Sequence, residues 1–265
     1  MKKLLLLIFC FPMFVFAQEK EESTYIDLQL FRGNVVNHTS GIDHLITDHP
    51  DGFMLSVNRK TFGKKEWQQV YNYPDYGIIS EESPELFDES LLKENIIIID
   101  PIDGTNEFAE HPRHDWAIHI ALWESGELTA ASVALPTLGI TFDASPAAVV
   151  PPSTRAKPLL VTSRSRNPYC AVMVANALGC DVARLGSAGA KAMAIVMGEA
   201  DIYVHDGGMY QWDSAAPSAV AKAAGLHVSR IDGSPLKYNQ ESLWLPDFLV
   251  CRIELAEPAL NALNP

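Results

Sequence analysis

Four isoleucines in a row, Ile96 to Ile99, run directly into the carboxylate of Asp100. Consecutive β-branched residues of this kind predict a strand buried on both faces, where strict alternation would predict one half-exposed. A second strand is predicted over Trp116 to Leu122, and the turn Glu124-Ser125-Gly126-Glu127 leads into a third over Leu128 to Leu135. The Ala-rich runs Ala188 to Met197 and Ala215 to Ala224 predict helices, with Gly198 and Gly225 placed to stop them. Short strands are predicted over Leu159 to Val161 and over Asp201 to His205. Strands and helices therefore interleave, which makes residues 78–265 a layered α/β unit.

Upstream of Gly77 the pattern changes. Tyr25 to Leu30 alternates, with Ile26, Leu28 and Leu30 against Asp27 and Gln29, the mark of a half-buried strand. A stretch rich in His, Asp and Gly follows from Asn37 to Gly52, then a second short apolar run from Phe53 to Val57, then frequent aromatics from Trp67 to Tyr76. At the very start, Lys2 and Lys3 precede an apolar run from Leu4 to Ala17, and Val15-Phe16-Ala17 stands just before Gln18. That is the layout of a secretory signal, and it predicts export. The run is shorter than the roughly 20 residues that span a bilayer, and Pro12 interrupts it, so no stable membrane anchor is expected. Cys10 would leave with the signal. Cys170, Cys180 and Cys251 remain, an odd count at wide spacings that fits neither a disulfide framework nor a zinc site. The chain thus divides into a signal at 1–17, an atypical strand-and-loop segment at 18–77, and the α/β unit at 78–265.

Charge narrows the function. Thirty-three acidic against 20 basic residues leave a net charge of −13 among 265 residues, which excludes indiscriminate binding to a nucleic-acid polymer, because that requires surplus Lys and Arg. An anionic ligand would need local cations. Three acidic groups stand at predicted element ends: Glu81 and Glu82 after Gly77-Ile78-Ile79, Asp100 and Asp103 in Asp100-Pro101-Ile102-Asp103-Gly104-Thr105, and Asp213 after Trp212 ahead of an Ala-rich helix. Taken singly, the Glu pair reads as solvated surface and Asp213 as a helix N-cap. Asp100 differs, since an acid that ends a run of isoleucines is hard to solvate and needs a cation or donors beside it. Gly104 allows the chain an unusual backbone angle after Asp103. Several carboxylates gathered in a small volume suit a hard divalent ion, Mg²⁺ above all. Two such ions about 4 Å apart can activate a water and stabilise the leaving oxygen of a phosphate ester.

Asp100-Pro101-Ile102-Asp103-Gly104-Thr105 with Phe108, preceded by Ser80-Glu81-Glu82 and followed by Trp212-Asp213-Ser214-Ala215-Ala216-Pro217, resembles the lithium-sensitive inositol monophosphatase superfamily. Asp115 to Trp123, Gly186 to Met193 and Asp232 to Asn239 look like the CysQ-type 3′-phosphoadenosine-5′-phosphate phosphatases within it. The likeness covers residues 78 to about 255 and implies a layered α+β sandwich of the inositol monophosphatase and fructose-bisphosphatase type. It implies that Glu81, Asp100 and the Ile102 carbonyl hold one Mg²⁺, and that Asp100, Asp103 and Asp213 hold a second. By the same resemblance Glu82 and Thr105 stand beside the attacking water, the Gly104 and Thr105 amides receive the phosphate, and Ser187 and Lys191 hold the nucleotide. Ser163, Arg164 and Ser165 become contacts for the phosphate that is not cleaved, or else a solvated turn. The partner implied is a small phosphorylated nucleotide, and the family admits a homodimer and a cytoplasmic location. Gly186 to Lys191 is not a Walker loop, because its spacing is wrong.

The chain also departs from that family. The expected fold lacks the usual N-terminal helical hairpin with its water-activating Asp; Asp43 and Asp48 fall in the interval without the surrounding motif. In its place, Phe31-Arg32-Gly33-Asn34, His44-Leu45-Ile46-Thr47 and Glu66 to Gly77 look like the start of acyloxyacyl-hydrolase or lipid A deacylase-like barrels. A membrane barrel needs about eight strands, and this segment can supply two or three. The readings left open beside the nucleotide phosphatase are an inositol or sugar monophosphatase, an inactive remnant, and an envelope protein acting on lipid A.

Overall fold

The computed structural model describes residues 76–81 and 95–264, together with four strands of two or three residues nearer the N-terminus. Those four are β1 (Leu28–Gln29), β2 (Val35–Asn37), β3 (Leu45–Thr47) and β4 (Met54–Leu55), with β1 antiparallel to β4 and β2 antiparallel to β3. The signal segment, Glu82 and most of the interval assigned to the missing hairpin lie outside the described residues.

The first large sheet is built on the isoleucine run. β6 (Asn95–Asp103) pairs in parallel with β5 (Tyr76–Ser80) on one side and antiparallel with β7 (Ala117–Glu124) on the other. β8 (Glu127–Leu135) and β9 (Ile140–Asp143) complete the order β5-β6-β7-β8-β9. Both faces of β6 are buried, as four consecutive isoleucines require. The strand runs three residues past Asp100, and its register against β7 slips between Asp100 and Asp103. That irregularity re-aims the acid-bearing end of the strand.

The second sheet has the order β11-β10-β12-β14-β13: β10 (Leu159–Ser163), β11 (Asp181–Leu185), β12 (Ile202–Tyr210), β13 (His227–Ser229) and β14 (Trp244–Cys251). β10 is parallel to both β11 and β12, while β14 is antiparallel to its neighbours. Two helices fill the space between the sheets: α3 (Ala188–Val196) touches β7 and β12, and α4 (Gln211–Ala223) touches β6, β7 and β8 as well as β13 and β14. Their small side chains explain the fit, because alanines at Ala190, Ala192, Ala194, Ala215, Ala216 and Ala221 let a helix lie close to a sheet on each side. On the outer face of the second sheet, α2 (Tyr169–Leu178) packs on α5 (Ile253–Leu263) and on β12. The short α1 (Thr105–Ala109) closes the chain around the end of β6, fixed by the edge-to-face contact of Phe108 with Trp116 at 5.0 Å. Among the described residues no helix is long and apolar enough to cross a membrane.

The helices stop where the glycines predicted, with Gly198 at φ +76° and Gly225 at φ +84°. One boundary needs correction. The sequence placed Asp213 ahead of its helix, but α4 begins at Gln211, so Asp213 lies inside the first turn at the third helical position. From there its carboxylate reaches back to accept from the Tyr210 amide at 2.6 Å. Terminal amides left open by the helix geometry provide that donor.

Candidate active site

Asp100, Asp103 and Asp213 converge. One carboxylate oxygen from each lies within 4.8 Å of the others, and the first two come from the slipped end of β6 while the third comes from the start of α4. Glu81 follows β5, tied to β6 by its amide's bond to the Ile99 carbonyl, and it shares a side-chain hydrogen bond with Asp100. Four acids from three elements, separated by as much as 132 positions, thus meet in one place. Asp100 and Asp103 are buried.

The electrostatics of the cluster are those of a cation site. Burial pushes the Asp100 carboxyl well above the ordinary carboxylate range, and the charges of Asp103, Glu81 and Asp213 push it the same way. Burial likewise raises Asp213 to about 7, helped by Asp103 and Glu81 against the pull of the Tyr210 amide. Asp103 goes the other way. Burial alone would raise it, yet the His119 ring, the Ser187 hydroxyl and the Gly189 amide hold it at about 2. Crowded, dehydrated carboxylates of this kind are relieved by a bound positive charge, and an all-oxygen donor set fits a hard divalent ion.

The support behind Asp103 is dense. Its Oδ2 accepts from Ser187 Oγ at 2.5 Å and from the Gly189 amide at 2.6 Å, and it lies 3.2 Å from His119 Nε2. Ser187 Oγ also accepts from the Ala190 amide, so one hydroxyl caps α3 and holds a carboxylate. Lys191 donates from Nζ to the carbonyls of Gly186 at 2.6 Å and Ser187 at 2.7 Å, with the ammonium over the Tyr203 ring. The sequence placed Ser187 and Lys191 on the nucleotide; the structure places both side chains behind Asp103, 1% and 3% exposed and bonded to the protein.

Gly104 takes φ +87°, the left-handed turn that carries the chain from Asp103 into α1. Thr105 Oγ1 stands 3.4 Å from the Ile102 carbonyl oxygen, which brings the predicted carbonyl donor and the predicted hydroxyl together. Of the turn after β10, Ser163 is buried, and its hydroxyl accepts from the Arg166 amide at 3.2 Å. Arg164 is bound by Glu107 at 2.7 Å and by Glu110 at 2.7 Å, so its guanidinium is neutralised within the protein.

Three contributors were not singled out from the sequence. His119 is fully buried and directly opposite Asp100 across β6 and β7. A histidine inside the apolar run Ala117 to Leu122 was the available signal. Asp115 accepts from the Gly186 amide at 2.7 Å and pairs with Arg113, which fixes the loop ahead of α3. The segment Tyr238 to Ser242 anchors α4: Tyr238 donates to Ser218 at 2.9 Å, and Gln211 exchanges bonds with Asn239, Gln240 and Ser242.

Two sheets with a pair of helices between them carry an acid cluster at a strand end and a helix start that could hold a metal ion, and comparison with known proteins gives the family. The model of the inositol monophosphatase family matches residues 65–257. A 3′-phosphoadenosine 5′-phosphate phosphatase of Mycobacterium bovis is 44% identical over 204 residues, which cover 72% of this chain and 74% of that protein. The 3′(2′),5′-bisphosphate nucleotidase CysQ of Escherichia coli K12 is 29% identical over 188 residues, 67% of this chain and 76% of that one. Among solved structures, an inositol monophosphatase from Anabaena superposes with a TM-score of 0.60 at 26% identity, covering 72% of this chain and 79% of that one. The chain belongs to the inositol monophosphatase family, and it is a metal-dependent phosphatase.

Proposed function

We propose that the chain hydrolyses the 3′-phosphate of 3′-phosphoadenosine 5′-phosphate with Mg²⁺ as cofactor. The single observation that carries the chemistry is the convergence of Asp100, Asp103 and Asp213, with Glu81 bonded to Asp100. The substrate reading is supported by the mycobacterial relative, which bears that activity in its name at 44% identity.

Glu81, Asp100, the Ile102 carbonyl, Asp103 and Asp213 are the groups that would hold the metal. When bound, Mg²⁺ supplies positive charge that acidifies water and stabilises oxygen anions on phosphorus. The chain's own residues do the rest. His119, Ser187 and Gly189 pull Asp103 down to about 2 against the effect of burial, and they fix the direction of its Oδ2. The Tyr210 amide fixes the direction of the Asp213 carboxylate. Thr105 presents a hydroxyl beside the cluster that can accept a hydrogen bond from the attacking water, and Glu82 is assigned a place beside that water. The Gly104 and Thr105 amides, at the turn into α1, are assigned to the phosphate oxygens.

Phosphate release from 3′-phosphoadenosine 5′-phosphate, with and without Mg²⁺, tests this reading on the purified chain. Turnover that requires Mg²⁺ and falls by at least about 10³-fold in Asp100→Asn is the expected result, since a lost ligand removes transition-state charge stabilisation. Equal or faster turnover of inositol monophosphate would move the substrate reading to the inositol phosphates. A folded chain inactive on both would overturn it.

A further inference from the structure

We propose that Glu107 and Arg164 are positioning residues: their ion pair aims the Gly104–Thr105 turn, and both act on the reaction without touching the substrate. The inference rests on the phosphatase reading above, in which the amides of that turn are assigned to the phosphate oxygens.

The turn has little of its own to hold it. It opens α1, which is five residues long, whereas an isolated helix is marginal below roughly 12–15 residues. Gly104, at the N-cap position, brings no side chain to cap the open amides. Tertiary contacts must therefore set the direction of α1. One is the edge of Phe108 on Trp116. The other is Glu107, an acid that is only 5% exposed.

A glutamate taken that far from water has to be paired. Arg164 pairs it: Nε and Nη2 close on Oε1 at 2.9 and 2.7 Å, while Nη1 reaches Glu110 Oε2 at 2.7 Å. One guanidinium therefore grips α1 in its first turn and at the residue that ends it. Arg164 is itself anchored, because its amide donates to the Leu185 carbonyl at 3.0 Å. Glu107 also fills space that two glycines leave open. A Cβ on Gly186 would stand 2.0 Å from Glu107 Cδ, and one on Gly104 would stand 3.2 Å from its Oε2. Gly186 is fixed in turn by Asp115, which accepts from its amide, and it directly precedes the Ser187 that holds Asp103. The carboxyl group of Glu107 is thus wedged between the Gly104 turn, the arginine that follows β10 and the loop behind Asp103. Releasing it shifts the turn's amides relative to the acid cluster, and a misplacement of about 1 Å costs on the order of 10²-fold in rate.

The test measures kcat and KM for Mg²⁺-dependent phosphate release from 3′-phosphoadenosine 5′-phosphate and from 3′-AMP, which carries the scissile phosphate alone. The proteins compared are the wild type, Glu107→Gln, Arg164→Gln, their double variant and Glu110→Gln. Donors aimed at charge that develops in the transition state act on kcat, so each of the first two variants should lose roughly 10–100-fold in kcat, equally on both substrates. Their KM should change less than about threefold, as for an interaction made only in the transition state. The double variant should lose no more than either single one, because two residues that act through one contact are not additive. Glu110→Gln should stay within about threefold of the wild type, since its side chain is 56% exposed and an exposed pair contributes little. If either glutamine variant fails to fold, Arg164→Lys keeps the charge without the fork and carries the same readout. A loss confined to KM on the bisphosphate would show that Arg164 binds the substrate itself. Losses that multiply in the double variant would show two separate roles, and a lower melting temperature with unchanged kcat a purely structural one. Each of these overturns the inference and leaves the reaction standing. A wild type inactive on both substrates overturns the reaction and this inference together.

Discussion

His119 Nε2 lies 3.2 Å from Asp103 Oδ2 while the Nδ1 of the same ring meets the Trp212 carbonyl at 3.2 Å. One buried imidazole therefore ties the acid at the end of β6 to the peptide immediately before Asp213. Partners behind a metal ligand set its direction, and their removal commonly costs 10–100-fold in metal affinity or activity. His119→Ala should raise the Mg²⁺ concentration needed for half-maximal rate by about that factor. A titration of rate against Mg²⁺ checks it; an unchanged midpoint with a lowered melting temperature would show that the ring only fills space.

Gly189 should tolerate no side chain. A Cβ there would stand 2.0 Å from His119 Nε2 and 3.0 Å from the Ala117 Cβ, and the glycine amide must stay close to donate to Asp103. Gly189→Ala is expected to displace the ring and cost about 1–3 kcal/mol by overpacking, seen as a lower denaturant midpoint with a rate loss comparable to that of His119→Ala.

Asp213→Asn separates stability from activity. The Asn oxygen can still accept from the Tyr210 amide, but a charge that burial and Asp103 disfavour is gone. Without divalent ions at pH 8 the variant should be more stable than the wild type by up to about 4 kcal/mol, the size of a shift of roughly three pKa units, from 3.8 to about 7. Its phosphatase rate should fall by at least about 10²-fold. Thermal melting beside a phosphate assay reads both, and a less stable variant would contradict the electrostatic account.

The same charges set a pH dependence. Asp213 titrates at about 7 in the folded chain against an ordinary value near 3.9, so folding takes up a proton there. With a raised folded value, the contribution to stability is fully present below about pH 4 and is lost as pH rises through about 7. Asp100, raised as well, acts in the same direction. A divalent ion must displace those protons. The increase in melting temperature on adding Mg²⁺ should therefore be larger at pH 8 than at pH 5.5, and calorimetry at the two values will show whether it is.

Far from the site, Asp201 is 1% exposed and accepts from Arg252 Nε at 2.7 Å, from the Leu159 amide at 2.8 Å and from Arg155. Removing one partner of a buried pair leaves the other charge unpaired, at a cost of about 3–5 kcal/mol. Asp201→Ala should lose that much by urea denaturation. Its pKa is lowered in spite of burial, through the Leu159 amide and Arg252, so its contribution holds above the ordinary value and fades as pH falls below about 3.9.

Several elements were legible because their patterns were local. The isoleucine run fixed β6, the Glu124 to Glu127 turn fixed the β7–β8 hairpin, and glycines marked where α3 and α4 end. α2, β9, β11, β13, β14 and α5 were not read. Their apolar positions are short and mixed, so their placement depends on neighbours that sequence periodicity does not reveal. The site divides in the same way. Glu81, Asp100, Asp103 and Asp213 stood out as acids at element ends, whereas His119 read as part of a strand.

By itself, then, the sequence determined the chemistry available: which carboxylates end strands, where the chain can turn, and a net charge of −13. Only the tertiary structure decided which side chains face each other. It turned Ser187 inward to hold Asp103, bound the Lys191 ammonium to the carbonyls of Gly186 and Ser187, and neutralised Arg164 with Glu107 and Glu110. The physical reason is that a charge's role is set by what lies within a few ångströms of it, and those neighbours come from strands and helices far apart along the chain.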